Sequence, residues 1–230
     1  MKKTNQLLAL SIVAFAAYAC GDDKSNTSDM MDEPTSVTWD EGNVDQGQLS
    51  GDLSAPTVIT LRAGDNHIVG TSVPAEEEQC IETPDGGQAP YYPNHESYTD
   101  TFTFTLAEGQ TLTSILIEEL TVEAVHSACG APLEQQLGAF IGFSNSAQID
   151  WDSDTFENFV KLPETYPLIG AAFAKNAGDD LLSAFKAGFS FGPYMVPALA
   201  ENPGPGTYTF WWKEGANRTA YRLNFVVAAE

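Results

Sequence analysis

The sequence predicts a mainly β protein: an antiparallel β-sandwich, or jelly-roll-like domain, with one or two short helices in its loops. Two observations predict this fold. Apolar and polar side chains alternate over many short runs, which is typical of half-buried strands. Glycine-containing turns separate the runs, for example at 63–66, 108–109 and 214–217. Many strands at this spacing favour an antiparallel sandwich.

The predicted strands follow one another along the chain. They lie at 58–62, 101–106, 111–125, 139–143 and in two runs near the C-terminus. In the last two runs, two sets of side chains should each share a buried face: Tyr208, Phe210 and Trp212, and Tyr221, Leu223, Phe225 and Val227.

Helix is predicted at two places. The segment 178–187 has two aspartates at its start, Lys186 near its end and Gly188 just beyond, as the helix dipole and helix caps prefer. The segment 154–162 is predicted to form a second, shorter helix.

The first residues have the character of an export signal. Two lysines precede an apolar run at 7–19, which is shorter than the about 20 residues that a membrane-spanning helix needs. The sequence Ala17-Tyr18-Ala19-Cys20 resembles a bacterial lipobox, which implies lipidation of Cys20. We expect a lipid anchor in the bacterial cell envelope, either periplasmic or exposed at the cell surface. The alternative is ordinary cleavage after Ala19, which would give a secreted soluble protein.

The chain has three cysteines. If Cys20 carries lipid, Cys80 and Cys129 remain, and an oxidising compartment would let them form a disulfide. The alternative is two free thiols.

The segment 20–47 is predicted to be an acidic, disordered tether, and 48–230 a single domain. Removal of residues 1–19 leaves 8 basic and 32 acidic side chains, a net charge of 8 − 32 = −24. Nucleic acid is therefore excluded as an expected partner, and the membrane should be contacted through the N-terminal lipid only.

Four stretches carry a resemblance to a known family. They are 50–61, 100–106, 139–143 and 206–211, the last followed by the strand at 221–227. Together they resemble the pre-peptidase C-terminal type of β-sandwich found in bacterial extracellular proteins. The insert at 73–95, which contains Cys80, departs from that module. The resemblance implies accessory binding of a polymer or surface, with calcium in some members.

Calcium is the one cofactor that the residues suggest. Asp150, Asp152 and Asp154 alternate in sequence and could present oxygens to one hard cation, although the spacing does not complete an EF-hand. Asp100, at the start of a predicted core strand, is a further candidate. The alternative for the three alternating aspartates is an acidic loop.

The last two strands suggest a ligand-binding surface. A four-residue loop at 215–218 would set Trp212 opposite Tyr221 and Trp211 opposite Arg222, with Trp211 on the polar face. Trp211 could then stack on a sugar beside Arg222. Two structural alternatives stay open: the guanidinium covers the ring as a cation–π pair, or another segment packs over Trp211.

No nucleophile elbow, phosphate loop or zinc-protease motif is present in the sequence. Glu118 and Glu119 could serve a glycoside hydrolase, but adjacent residues of a regular strand point to opposite faces. The sequence therefore predicts a non-enzymatic binding or adhesion module for a glycan or other extracellular polymer. The alternative is a structural subunit that binds another envelope protein; a hydrolase is the third possibility.

Overall fold

The structure is a computed structural model, which describes residues 37–43, 46–72, 79–82, 88–91, 99–124, 139–148, 168–191, 194–213 and 217–230. Its strands are β1 (Val37–Asp40), β2 (Thr57–Val58), β3 (Gly64–Ser72), β4 (Gln79–Glu82), β5 (Gln88–Tyr91), β6 (Thr99–Leu106), β7 (Gln110–Ala124), β8 (Ala139–Ser144), β9 (Leu168–Ala174), β10 (Phe189–Phe191), β11 (Tyr194–Val196), β12 (Gly206–Lys213) and β13 (Asn217–Ala229). Within the described ranges the one helix is α1 (Leu181–Ala187).

Two larger sheets form the body of the domain. The first has four strands in the order β1–β3–β13–β7, and the second has five in the order β2–β6–β12–β8–β9. The pairs β4–β5 and β10–β11 form separate two-stranded sheets. The predicted all-β, sandwich-like fold is confirmed. Two edge strands depart from the antiparallel pattern, because β1 runs parallel to β3 and β2 runs parallel to β6.

Aromatic side chains fill the space between the two larger sheets. Phe225 of β13 meets Phe102 and Phe210 of the opposite sheet edge-on, with ring centroids 5.6 and 5.3 Å apart. Both face sets predicted for the last two strands are buried. The alternation of residues had indicated which side of each strand is apolar. These sides are buried because the apolar faces of the two sheets pack against each other in the interior of a sandwich.

The predicted pairing of the last two strands is wrong. β12 bonds to β6 and β8, whereas β13 bonds to β3 and β7, so the two strands belong to different sheets. Trp212 and Tyr221 still meet, because their rings stack across the interior with centroids 4.3 Å apart. The indole Nε1 of Trp212 also donates a 3.0 Å hydrogen bond to the hydroxyl of Thr219.

Helix α1 joins the two sheets at one side. Asp180 is its N-cap: Oδ1 accepts hydrogen bonds from the backbone N–H of Leu182 in the helix and of Ile115 in β7, both 3.1 Å long. At the other end, Phe185 stacks on Phe143 of β8 with centroids 5.6 Å apart. The predicted helix at 178–187 is thus confirmed with a later start, while the one predicted at 154–162 lies outside the described residues.

The domain begins before the predicted boundary at Gln48. Strand β1 lies inside the segment predicted to be a disordered tether, and Trp39 packs against the hydrophobic core. The strand predicted at 58–62 is reduced to β2, although Ile59 and Leu61 are buried as expected. Strand β3 was not predicted, because its first residues have the composition of a turn.

Candidate functional site

The outer face of the four-stranded sheet carries polar side chains from three strands. Arg222 of β13 pairs with Glu119 of β7, and Asn224 of β13 pairs with His67 of β3. Between them, Leu223 is buried in the core. Because alternate residues share a face and paired residues lie side by side, the four polar residues occupy the same outer face.

A β-bulge interrupts β7 at this row. Arg222 pairs with Glu119 and Leu223 with Ile117, so Glu118 is an extra residue without a partner in the ladder. Glu118 turns toward Arg222, and Glu119 lies beside the same arginine. The expectation that the two glutamates point to opposite faces is therefore wrong, since it assumed a regular strand.

Glu118 contacts the side chains of both Arg222 and His67. Its Oε2 accepts a 2.8 Å hydrogen bond from Nε of Arg222 and lies 2.9 Å from Nδ1 of His67. The side chains of His67, Glu118 and Arg222 are 16%, 26% and 38% exposed. A hydrogen bond between a guanidinium and a carboxylate, as between Arg222 and Glu118, is shorter and stronger than one between neutral groups, and it fixes the orientation of both side chains. We call these three residues the bulge triad.

The backbone around the bulge is held from the other edge of β7. The N–H of Ile117 donates to the carbonyl of Asp179 over 2.9 Å, and the N–H of Gly178 donates to the carbonyl of Ile117 over 2.7 Å. The loop before α1 thus covers the edge of β7 beside Glu118. A site on a bulge that is bonded along both edges is positioned by the fold rather than by a free loop.

The rest of the face is more open. Arg218 and Glu123 form an ion pair over 3.4 Å, with side chains 54% and 66% exposed. Asn224 donates a 3.0 Å hydrogen bond to Asp65, which is exposed on the neighbouring strand β3. The face therefore carries both charge signs, with carboxylates in excess.

Trp211 and Arg222 do not form the surface predicted from the sequence. They lie on strands of different sheets, and Trp211 is only 1% exposed. Its ring lies over Gly142 of β8 and beside Phe140, with centroids 6.4 Å apart. Both the sugar platform and the cation–π alternative are wrong, and the alternative in which another segment packs over Trp211 is confirmed.

Aromatic residues extend this cover along the outer side of the five-stranded sheet. Phe140 meets Phe173 of β9 and Phe189 of β10 with centroids 5.8 and 5.7 Å apart. Thr209 and Trp211, on the nominally polar face of β12, are therefore buried, and burial lowers the pKa of Lys213 from 10.5 to about 8.

Asp100 lies inside the end of the sandwich. It is 6% exposed, and its Oδ2 accepts a 2.8 Å hydrogen bond from the hydroxyl of Tyr221. Its pKa is raised from 3.8 to about 7: burial is the largest cause, the charge of Glu41 adds to it, and the hydrogen bond from Tyr221 opposes it. Within the described part of the chain, no three His, Cys, Asp or Glu side chains are grouped to hold a metal ion.

Glu41 ties β1 to the same end of the domain. Its two carboxylate oxygens accept hydrogen bonds from the backbone N–H groups of Leu49, over 2.7 Å, and Thr71, over 2.6 Å. Burial raises the pKa of Glu41, the two backbone bonds lower it, and the charge of Asp40 raises it. A residue that the sequence placed in the tether is thus part of the folded domain.

Several predicted residues lie outside the described part of the chain. They are Cys20, Cys129, Asp150, Asp152 and Asp154. Cys80 lies in β4, where its backbone pairs with Pro90, and its side chain is not among those described. Lipidation, the disulfide and calcium binding at the three aspartates stay predictions.

Sequence reasoning passed over the residues of the bulge triad other than Arg222. His67 was given no role, although it lies within β3, and Glu118 was set aside on the assumption of a regular strand. The available signal for His67 was the pair of β-branched residues that follows it, Ile68 and Val69, which is typical of strands. No comparable signal marks the bulge, since no glycine or proline stands at 117–119.

In comparisons with known proteins, no family model and no curated protein matches the chain. Among the described residues, no helix is long and apolar enough to cross a membrane.

Proposed function

We propose that this chain is an exported, lipid-anchored, non-enzymatic protein that binds an extracellular glycan through the outer face of its four-stranded sheet. The observation that carries the proposal is the bulge triad, in which Glu118 gathers His67 and Arg222 on a solvent-accessible sheet face. Polar side chains oriented in advance by the fold lose less freedom on binding, which favours recognition of a polar ligand.

The competing function is assembly with another envelope protein. Such an interface usually has an apolar centre. Among the described residues, the exposed large hydrophobic side chains are Val58, Val122 and Met195, which belong to three different sheets. Because these three side chains do not share a sheet face, they form no apolar centre for a protein interface. We therefore favour glycan binding at the polar outer face of the four-stranded sheet.

The anchor rests on the sequence alone. The basic start, the short apolar run and Cys20 support export followed by lipidation. Mass spectrometry of the mature N-terminus tests this: a lipid mass on Cys20, and release of the Cys20→Ala protein from the membrane fraction, are expected. An unmodified Cys20 on a soluble protein would leave ordinary secretion as the route.

Binding is tested with Arg222→Gln against a panel of immobilised polysaccharides. A partly exposed ion pair contributes about 0–1 kcal/mol to stability, so the variant should fold. We expect it to lose the retention shown by the wild type. Lys186→Gln is the matched control, because it also removes one positive charge, from the exposed last turn of α1. The proposal would be contradicted if both variants lost retention on the polysaccharide equally. It would also be contradicted if neither the wild type nor the control variant were retained on any polysaccharide.

A further inference from the structure

The hydrogen-bonding capacity left in the bulge triad defines the chemistry of its ligand. Among the contacts between described residues, Arg222 uses Nε, so the two Nη groups of the guanidinium remain as donors there. Glu118 uses Oε2 for both of its contacts, so Oε1 remains as an acceptor.

The histidine adds a third group. An ionised carboxylate can only accept, so Nδ1 of His67 must carry the proton in its contact with Glu118. The other ring nitrogen, Nε2, is then an acceptor while the ring is neutral. The triad therefore combines donors and acceptors in one small network.

A sugar hydroxyl matches this combination, because it can donate one hydrogen bond and accept others. A carboxylate or phosphate can only accept: it would suit the Nη groups but would face the acceptor oxygen of Glu118. Two neighbouring hydroxyl groups can bind to both side chains: one accepts a hydrogen bond from Arg222, and the other donates one to Glu118.

The charge around the bulge triad also favours a neutral ligand over an anionic one. Glu118 and Glu119 lie beside Arg222, and Asp65, opposite Val226, adds a third carboxylate farther along the same face. The whole chain has a formal net charge of −22. Like charges repel an anionic ligand during approach and after contact.

We infer that the bulge triad binds a neutral glycan through adjacent hydroxyl groups; this inference rests on the proposed function. The structure assigns Arg222 as the donor and Glu118 as the acceptor. His67 is a positioning residue that holds Glu118 in place, and its Nε2 can accept a hydrogen bond from one further hydroxyl group.

The test is affinity electrophoresis of the mature chain in gels that contain neutral polysaccharides (a glucan and a mannan) or acidic ones (polygalacturonate and alginate). Each is run at low and high salt. Retardation is expected in at least one neutral gel, nearly independent of salt, since little charge is neutralised on binding. Arg222→Gln and Glu118→Gln should each weaken binding about tenfold or more, as for the loss of a hydrogen bond to a charged group.

A chemical control separates this ligand class from others. Periodate cleaves adjacent diols, so periodate treatment of the neutral polysaccharide should abolish retardation. Arg218→Gln serves as the matched variant, because Arg218 is on the same strand and face but pairs with Glu123 away from the bulge. It should bind like the wild type.

The other outcomes separate this inference from the proposed function. If the protein bound only in the acidic gels, in a salt-sensitive way, and Arg222→Gln abolished this binding, the inference of a neutral glycan would be overturned. The bulge triad would still be the binding site. Neutral binding that neither triad variant weakens would overturn the assignment of the site. Retardation in none of the gels would overturn both.

Discussion

The hydroxyl of Tyr221 donates a 2.8 Å hydrogen bond to the carboxylate of Asp100, which is buried at the end of the sandwich. Asp100 was a calcium candidate in the sequence. The structure instead gives it a partner from the opposite sheet, because β6 and β13 face each other. A buried carboxyl with one hydrogen bond is costly to ionise, so its pKa rises to about 7.

The first prediction concerns pH. Between the ordinary pKa of 3.8 and the folded value of about 7, the folded state holds a proton on Asp100 that the unfolded chain has lost. The contribution of Asp100 to the free energy of unfolding is therefore fully present below about pH 4. It is lost as pH rises to about 7, by up to about 4 kcal/mol.

Asp100→Asn keeps an acceptor for Tyr221 and removes the titration. We expect this variant to be more stable than the wild type at pH 8, with a flatter profile between pH 5 and 8. Urea unfolding at these pH values measures the difference. The window stops at pH 8, because Lys213, with its pKa lowered to about 8, should add stability as pH rises further. Parallel profiles for the two proteins would contradict the prediction.

The second prediction concerns the cover over Trp211. A β-carbon added at Gly142 would overlap the indole ring of Trp211. We therefore expect Gly142→Ala to lower the free energy of unfolding by about 1–3 kcal/mol, the usual cost of overpacking. Gly204→Ala is the control, since a β-carbon there meets nothing within 4 Å. If the two variants unfold alike, Trp211 is not packed as described.

The third prediction concerns Trp212. Its buried Nε1 donates to the hydroxyl of Thr219, which is itself buried. Thr219→Val keeps the shape of the side chain and removes the acceptor, so it should cost about 1–3 kcal/mol in denaturant unfolding. Thr219→Ser keeps the hydroxyl and should cost less. A valine variant as stable as the serine variant would show that the indole finds another acceptor.

The alternation of apolar and polar residues predicted which face of a strand is buried, but it did not predict which strands pair. It correctly indicated that Trp212 and Tyr221 point into the core, because period-2 patterns depend only on the strand itself. It set them side by side in a hairpin, whereas they meet across the interior. Which strands pair is decided by contacts far apart in the chain, and these leave no local pattern.

Trp211 and Glu118 show two further limits. Trp211 follows the polar alternation of its strand, yet it is buried beside Phe140 of β8, and only the tertiary packing could reveal this. Glu118 leaves the regular alternation through a bulge at which no glycine or proline stands. The candidate site therefore could not be derived from the sequence, although Arg222 had been singled out beside a different partner.

The most direct test of the proposed binding face is NMR titration of the mature chain with a neutral oligosaccharide from the polymer that binds best. We expect the amide chemical shifts to change first around His67, Glu118 and Arg222. Residues on the outer side of the five-stranded sheet, such as Thr105 and Thr207, should stay unchanged. Shifts centred on that opposite sheet, or no shifts at saturating oligosaccharide, would contradict it.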